Sequence, residues 1–449
     1  MHVVIVGAGE IGIHIASQLI LENKDVVIVE KNPGIAQAVS GKLDCMVLAE
    51  DGNNPETLVK AGIEKAEYFI SVTNSDEINM IASGLVTSEF NVPHKIARVR
   101  NLDYYRSKIL GESFLDIDLI VNPGIEAARS VIQTIAMGAT SGVMTFAKTG
   151  IQMRNLFVDP ASPFSGKTLI QIRQSFAENF LVSAITRKNN VIIPTGSTVI
   201  NAGDMLYLAA TPENQRKIFA RAGRGTEKIK KVVIVGADTI GTLVAEVLIM
   251  DGFTVTIVER DAGRCGILAG LIPGALIINA DISDEGIFDE ERLHAYDLMV
   301  TSTGNQELNI LTAAYAKSMD IKRTVAIVNK ASYYSIASRL GIDSTISPKN
   351  CAADAILKYM RGKNIQSVHS ILEGRAEVIE FLAGASSAAI GVPLRDLTLP
   401  ENSLIIAVAR GEEEMVPDGD FSIAEGDSVL VITKKKSIPK IERLFSQKQ

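Results

Sequence analysis

The stretch Gly7-Ala8-Gly9-Glu10-Ile11-Gly12 has the residue types and spacing of a phosphate cradle. It follows the β-branched run Val3 to Val6 directly, opens an apolar-periodic segment of helical length, and is followed by Glu30 at the end of the next β-branched run. That context separates a working G-x-G-x-x-G from a chance one. In it, Gly7 allows a tight turn, Gly9 lets backbone approach a pyrophosphate, and Gly12 lets helix and strand pack closely. Free N–H groups and a partial positive charge at the helix N-terminus then meet the anion. Glu30 is placed to accept from ribose hydroxyls, and a carboxylate there disfavours a 2′-phosphate. The expected ligand is therefore NAD(H), or a plain adenosine nucleotide such as ATP or ADP at the same site, rather than NADP.

Ligands of open parallel sheets lie beyond the carboxyl ends of the strands, so the polar residues ending the later β runs are the next candidates. Asp51 is placed to take an adenine amino group or a ribose hydroxyl, and Thr73 and Asn74 to close over a pyrophosphate. As loop residues the three serve equally as turn formers. Arg98 and Arg100, two apart in "KIARVR", share one face of a strand near its end. Two guanidiniums there suit phosphates, and the same forks suit carboxylates in interface salt bridges.

The cradle occurs twice. Gly236-Ala237-Asp238-Thr239-Ile240-Gly241 repeats the first hexad at an offset of 229, and the same offset pairs Glu30 with Glu259. "TNSDEINM" (Thr73 to Met80) meets "TGNQELNI" (Thr303 to Ile310) at 230, Asn122-Pro123 meets Ser347-Pro348 at 225, and Gly203-Asp204 meets Gly426-Asp427 at 223. The chain is a tandem duplication. In the second copy Asp238 puts a carboxylate where a pyrophosphate would approach, and Ile327 and Asn329 stand where Arg98 and Arg100 were. Each close charge pair is worth about 1 to 4 kcal/mol at surface-like dielectric, so this copy is expected to bind a polyphosphate more weakly, to prefer another nucleotide, or to stay empty. Retention of Glu259 leaves a ribose hold in place.

Other chemistry is not indicated. The five histidines show no metal spacing, and neither H-E-x-x-H nor G-x-S-x-G occurs. "SPFSGKT" (Ser162 to Thr168) lacks the first glycine of a phosphate loop and reads as a turn. No His, Lys or Tyr constellation for proton transfer stands out, so an enzyme is not expected. The formal charge of −7 argues against nucleic acid as a partner. Apolar residues make up 47% of the chain, yet no run reaches the roughly 18 residues that cross a bilayer. Cys45, Cys265 and Cys351 form no C-x-x-C pair, and the first residues run straight into a β pattern without a signal peptide, so a cytoplasmic location is expected.

The elements that must position the cradles follow from periodicity. Short β-branched runs alternate with helix-length segments in the first part of each half, the pattern of a Rossmann-like doubly wound parallel sheet. The second part of each half turns to short strands with Asn-Asn, Gly-Asp and similar turn signals, a small α+β lobe. The expected α/β architecture is a tandem duplication: a first sheet domain over 1–138, a first lobe over 139–225, a second sheet domain over 226–362 and a second lobe over 363–449. The basic link "RAGRGTEKIKK" joins the halves.

With "GAGEIG", the strand-end glutamate, "VTNSDEINM", "IARVR", "ISP" (Ile346 to Pro348) and two terminal lobes in this order, the chain resembles the RCK (KTN) family over essentially its whole length. The resemblance implies nucleotide binding in the sheet domains and lobes that help assemble a ring. It also implies docking of that ring, a tetramer of two-RCK chains, under a potassium-conducting membrane subunit at the inner face of the cell membrane, without insertion of the chain itself. By the same resemblance Gly7 to Gly12, Glu30, Asp51, Thr73, Asn74 and Arg98 form the first site, and Gly236 to Gly241 with Glu259 the second. The nucleotide is then a ligand whose contacts favour one domain arrangement and so move the channel. An NAD-dependent oxidoreductase and a free-standing nucleotide sensor are the alternative readings.

Overall fold

The computed structural model describes residues 1–106, 115–136, 144–146, 150–187, 190–222, 229–284, 286–360, 365–371, 376–411 and 413–445. In the first half the strands are β1 (His2–Val6), β2 (Asp25–Val29), β3 (Met46–Leu48), β4 (Tyr68–Ser71), β5 (His94–Arg98) and β6 (Leu119–Val121), followed by β7 (Met144–Thr145), β8 (Gln152–Phe157), β9 (Leu181–Arg187), β10 (Asn190–Ile192) and β11 (Met205–Ala210). The second half repeats them as β12 (Lys231–Val235), β13 (Thr254–Glu259), β14 (Leu276–Asn279), β15 (Leu298–Thr301), β16 (Arg323–Ile327) and β17 (Ser344–Ile346). Its lobe carries β18 (Ile365–Ile371), β19 (Ala376–Leu382), β20 (Ser403–Arg410), β21 (Glu413–Met415) and β22 (Ser428–Lys434).

The two large sheets are parallel and identical in topology, β3-β2-β1-β4-β5-β6 and β14-β13-β12-β15-β16-β17. Their central strands read as unbroken apolar runs because helices cover both faces; Val3, Val4 and Ile5 are fully buried, as are Val232, Val233 and Ile234. The strand order reverses between β1 and β4, and between β12 and β15, opening a crevice at the carboxyl ends of the strands, where such sheets take ligands.

The duplication groups like with like. Residues Met1–Ala139 and Ile229–Met360 form one compact unit, and Thr140–Lys228 with Arg361–Gln449 form another. Within the first unit the sheet domains exchange their last helices. Ala127, Ala128, Val131 and Ile135 of helix Pro123–Ala136 join the core of the second sheet with Val232, Ile234 and Val244. Reciprocally, Ala352, Ala353, Ile356 and Leu357 of helix Pro348–Met360 join the first sheet's core with Val3, Ile5 and Ile15. Alanines let the helix backbones approach, and each fully buried Val, Leu or Ile contributes roughly 1.5–3 kcal/mol.

In the second unit the lobe sheets run β10-β9-β11-β8-β7 and β18-β19-β22-β20-β21. Met153, Ala184 and Ala209 share one core with Val378, Ala407 and Leu430. In each lobe the same ion pair ties the end of one strand to the start of its antiparallel neighbour, β9 to β11 and β20 to β22. Arg187 Nε and Nη2 donate to Asp204 Oδ1 and Oδ2 at 2.8 and 2.7 Å, and Arg410 repeats this on Asp427 at 2.9 and 2.8 Å. The glycine before each aspartate is left-handed, with φ of +90° at Gly203 and +82° at Gly426. "SPFSGKT" is a turn that ends at Thr168, the N-cap of helix Leu169–Ser175. Among the described residues no helix is long and apolar enough to cross a membrane.

Candidate nucleotide-binding site

The first glycine loop is held at both ends. Gly7 donates its N–H to Val29 O at 2.8 Å and has a φ of +106°, and a Cβ there would lie 2.9 Å from Thr73 N. A Cβ on Gly12 would fall 2.1 Å from Gly7 O, so the helix start is pressed onto the turn. Gly9 differs: a Cβ there meets nothing within 4 Å. It is the N-cap of helix Glu10–Leu21, and no side chain caps that helix. Its carbonyl takes the Ile13 N–H at 2.9 Å, which leaves the N–H groups of the first turn to an external acceptor. Ile11 turns into the core, while Glu10 is exposed and meets Lys349 of the second sheet domain.

Glu30 has a task that its position as a ribose acceptor did not suggest. Its Oε2 accepts the Ala8 N–H at 2.8 Å and its Oε1 the Asn32 N–H at 2.8 Å, tying the loop to the end of β2. A carboxylate has about four lone-pair sites, so acceptor capacity remains for sugar hydroxyls. Asp51 sits in the loop after β3, where Lys31 Nζ pairs with it at 2.9 Å and the Asn53 N–H donates to it at 3.1 Å. The Lys31 ammonium and that N–H hold its carboxyl below the usual range. The adjoining Gly52 presses against the end of β1, since a Cβ on it would lie 2.3 Å from Val6 Cγ1.

The ends of β4 and β5 are clamped by a residue that pattern reading passed over. Asn79, fully buried, accepts from Thr73 N and Thr73 Oγ1 at 2.8 and 2.7 Å and donates to Arg98 O at 2.9 Å. Arg98 Nη1 reaches back to Thr73 O at 3.2 Å and Asn74 Oδ1 at 3.3 Å. Its Nε is buried without a partner, and burial together with the neighbouring Arg100 lowers its affinity for the proton. A guanidinium resting on neutral oxygens, with one N–H unmet, fits a site that takes an anion. Arg100 goes elsewhere. Its Nε lies 3.5 Å from Asp76 Oδ1, its own N–H donates to Asp76 Oδ2 at 2.8 Å, and Nη2 reaches Asn74 O.

The second cradle keeps the scaffold and fills the opening. Gly236 (φ +88°) donates to Val258 O at 2.9 Å, and a Cβ on Gly241 would lie 2.4 Å from Gly236 O. Glu259 repeats the brace, accepting from Ala237 N and Asp261 N at 2.9 Å each. Asn309 repeats the clamp on Thr303 and β16. Asp238, however, caps helix Thr239–Met250 with its own carboxylate. Oδ1 accepts the Gly241 N–H at 2.9 Å and the Ser302 hydroxyl at 2.6 Å. Burial pushes its carboxyl above the usual range even though the Gly241 N–H and the Ser302 hydroxyl pull the other way. Ile240 is buried, and Thr239 lies beside Gly124 of the exchanged helix. Ser302 aligns with Val72 at the offset of 230, so the repeat carried a signal for it that went unread.

Residues 3–123 and 232–348 match the TrkA-N domain, and residues 154–223 and 378–446 match the TrkA-C domain. The chain belongs to the TrkA family. It is 30% identical over 454 residues to the Trk system potassium uptake protein TrkA homolog 1 of Methanosarcina mazei, covering 99% of this chain and 100% of that one. It is 31% identical over 451 residues to the Trk system potassium uptake protein TrkA of Azorhizobium caulinodans, with 99% and 98% covered. Among solved structures, the GsuK RCK domain superposes with a TM-score of 0.57 at 17% identity, covering 99% of this chain and 94% of that one. The GsuK channel bound to NAD does so with a TM-score of 0.56 at 16% identity, covering 99% and 78%. The expected doubly wound, duplicated fold is the one found. For a TrkA-family chain the informative contrast is between its own two cradles: one helix N-terminus open, the other closed by Asp238.

Proposed function

We propose that this chain is the nucleotide-sensing regulatory subunit of a potassium uptake system, with one working nucleotide site in its first sheet domain. The observation that carries this reading is the uncapped helix at Gly9, facing open space, in a loop whose Gly7 packs on the Thr73 turn that Arg98 reaches with one N–H unmet. The names of the TrkA relatives support the potassium system, and the NAD held by the GsuK neighbour supports NAD(H) as the ligand, with ATP or ADP competing for the same cradle. Main-chain N–H groups from Glu10 to Gly12 take the phosphates, Arg98 balances their charge, and Glu30 and Asp51 take hydroxyl or amino groups of the nucleoside. The nucleotide acts as a ligand and not as a reactant. It moves a membrane partner only by its difference in affinity for two domain arrangements. The working assembly in this reading is a tetrameric ring under a potassium-conducting subunit at the inner membrane face.

The test is a thermal-shift titration of wild type and Gly9→Asp with NAD, NADH, ATP and ADP. Ligand at a hundred times Kd stabilises by about 2.7 kcal/mol, so the wild type shifts upward by several degrees and the variant does not. If none of the four stabilises the wild type, the reading fails. Co-purification with a potassium-conducting membrane protein separates it from a free-standing sensor.

A further inference from the structure

The intact cradle receives a cation from the other half of the chain. Lys349 stands in the first turn of helix Pro348–Met360, which follows β17 of the second sheet but packs on helix Glu10–Leu21 of the first. Its Nζ donates to Glu10 Oε2. Glu10 is the first residue after Gly9, so this ammonium is tied to the first residue of the open helix.

The duplication supplies an internal control. The offset of 225 aligns Lys349 with Gly124, and the offset of 229 aligns Glu10 with Thr239. That second pair is also adjacent, for a Cβ on Gly124 would lie 3.2 Å from Thr239 Cγ2. The same two positions therefore meet at both cradles. Where Asp238 closes the helix, the pair is Gly124 and Thr239 and carries no charge. Where Gly9 leaves it open, the pair is Lys349 and Glu10.

We infer that Lys349 is a binding residue of the first cradle, donated by the second sheet domain and shared between Glu10 and the phosphates of the ligand. This rests on the nucleotide reading above. Glu10 at a helix N-terminus competes with a phosphate for the same positive field; paired with Lys349 it no longer repels the incoming anion. An ammonium is a compact point charge, so its attraction grows with the charge on the ligand, in the order ATP, then ADP, then NAD.

The experiment is calorimetric titration of the full chain with ATP, ADP and NAD at low salt, for wild type, Lys349→Met, Glu10→Gln and the double variant. Lys349→Met weakens ATP binding roughly five- to tenfold and NAD binding least. Glu10→Gln moves affinity the other way, and the double variant returns toward wild type. A strap that merely joins the two domains gives a different result, because breaking it from either side does the same harm. Equal losses in the two single variants, or unchanged affinity in Lys349→Met, overturn the inference while the nucleotide site stands. A wild type that binds none of the three overturns both.

Discussion

The Ser302 hydroxyl donates to Asp238 Oδ1 at 2.6 Å, and the same oxygen accepts the N–H of Gly241. The second cradle thus holds its own anion where the first offers main-chain N–H groups. The corresponding residues of the first copy, Gly9 and Val72, lack both the carboxylate and the hydroxyl that steadies it. Replacing Asp238 by Gly and Ser302 by Val together is expected to raise the nucleotide stoichiometry measured by calorimetry from one to two per chain. The ligand-free variant loses only roughly a few tenths of a kcal/mol for the lost cap, because glycine is itself tolerated at an N-cap. A stoichiometry still at one, in a folded variant, would show that more than this pair closes the site.

Gly9 and Gly12 separate binding from folding. Gly9→Ala meets open space, so the melting temperature stays within a degree or two while nucleotide affinity falls. Gly12→Ala drives a methyl into Gly7 O and is expected to cost about 1–3 kcal/mol as overpacking does. Denaturant unfolding with and without nucleotide distinguishes the two.

The two glutamate braces predict a shared structural cost. Glu30→Gln and Glu259→Gln each leave one main-chain N–H facing an amide nitrogen, a loss of about 1–2 kcal/mol. Only Glu30→Gln also weakens nucleotide binding. If Glu259→Gln leaves stability untouched, the brace is not what that carboxylate does.

The first lobe carries an acid-sensitive pair. Burial alone would raise the carboxyl of Asp204, but the Arg187 hydrogen bonds and the Asn201 N–H outweigh it and hold it below the usual carboxylate range. A depressed folded value means that the stabilisation is complete above the unfolded value, near pH 4, and is lost as pH falls through the folded one. Arg187→Met weakens that acid dependence and leaves the buried Asp204 without its counter-ion, with the Asn201 N–H still donating to it. The expected cost at neutral pH is about 2–3 kcal/mol, reduced from that of a fully buried pair because Arg187 is a third exposed. Chemical denaturation of the full chain between pH 3 and pH 7 checks both.

Local chemistry alone determined much of this protein. The glycine spacing, the β-branched runs and the turn residues read correctly because a left-handed φ at Gly7 or a short β-branched strand is decided within a few residues of chain. The repeat was legible for the same reason, and with it the contrast between Gly9 and Asp238. Arg98 and Arg100 were equivalent on a strand face until the tertiary structure turned Arg98 across the end of β4 and gave Arg100 to Asp76. The face of helix Pro123–Ala136 announced that it would be buried, but an apolar stripe does not say which sheet it covers, and it covers the second. Glu30 holding Ala8, Asn79 joining two strand ends, Ser302 steadying Asp238 and Lys349 reaching Glu10 each join residues far apart along the chain. Their hydrogen bonds and ion pairs act over a few ångströms, so only the folded arrangement of strands and exchanged helices decides that they exist.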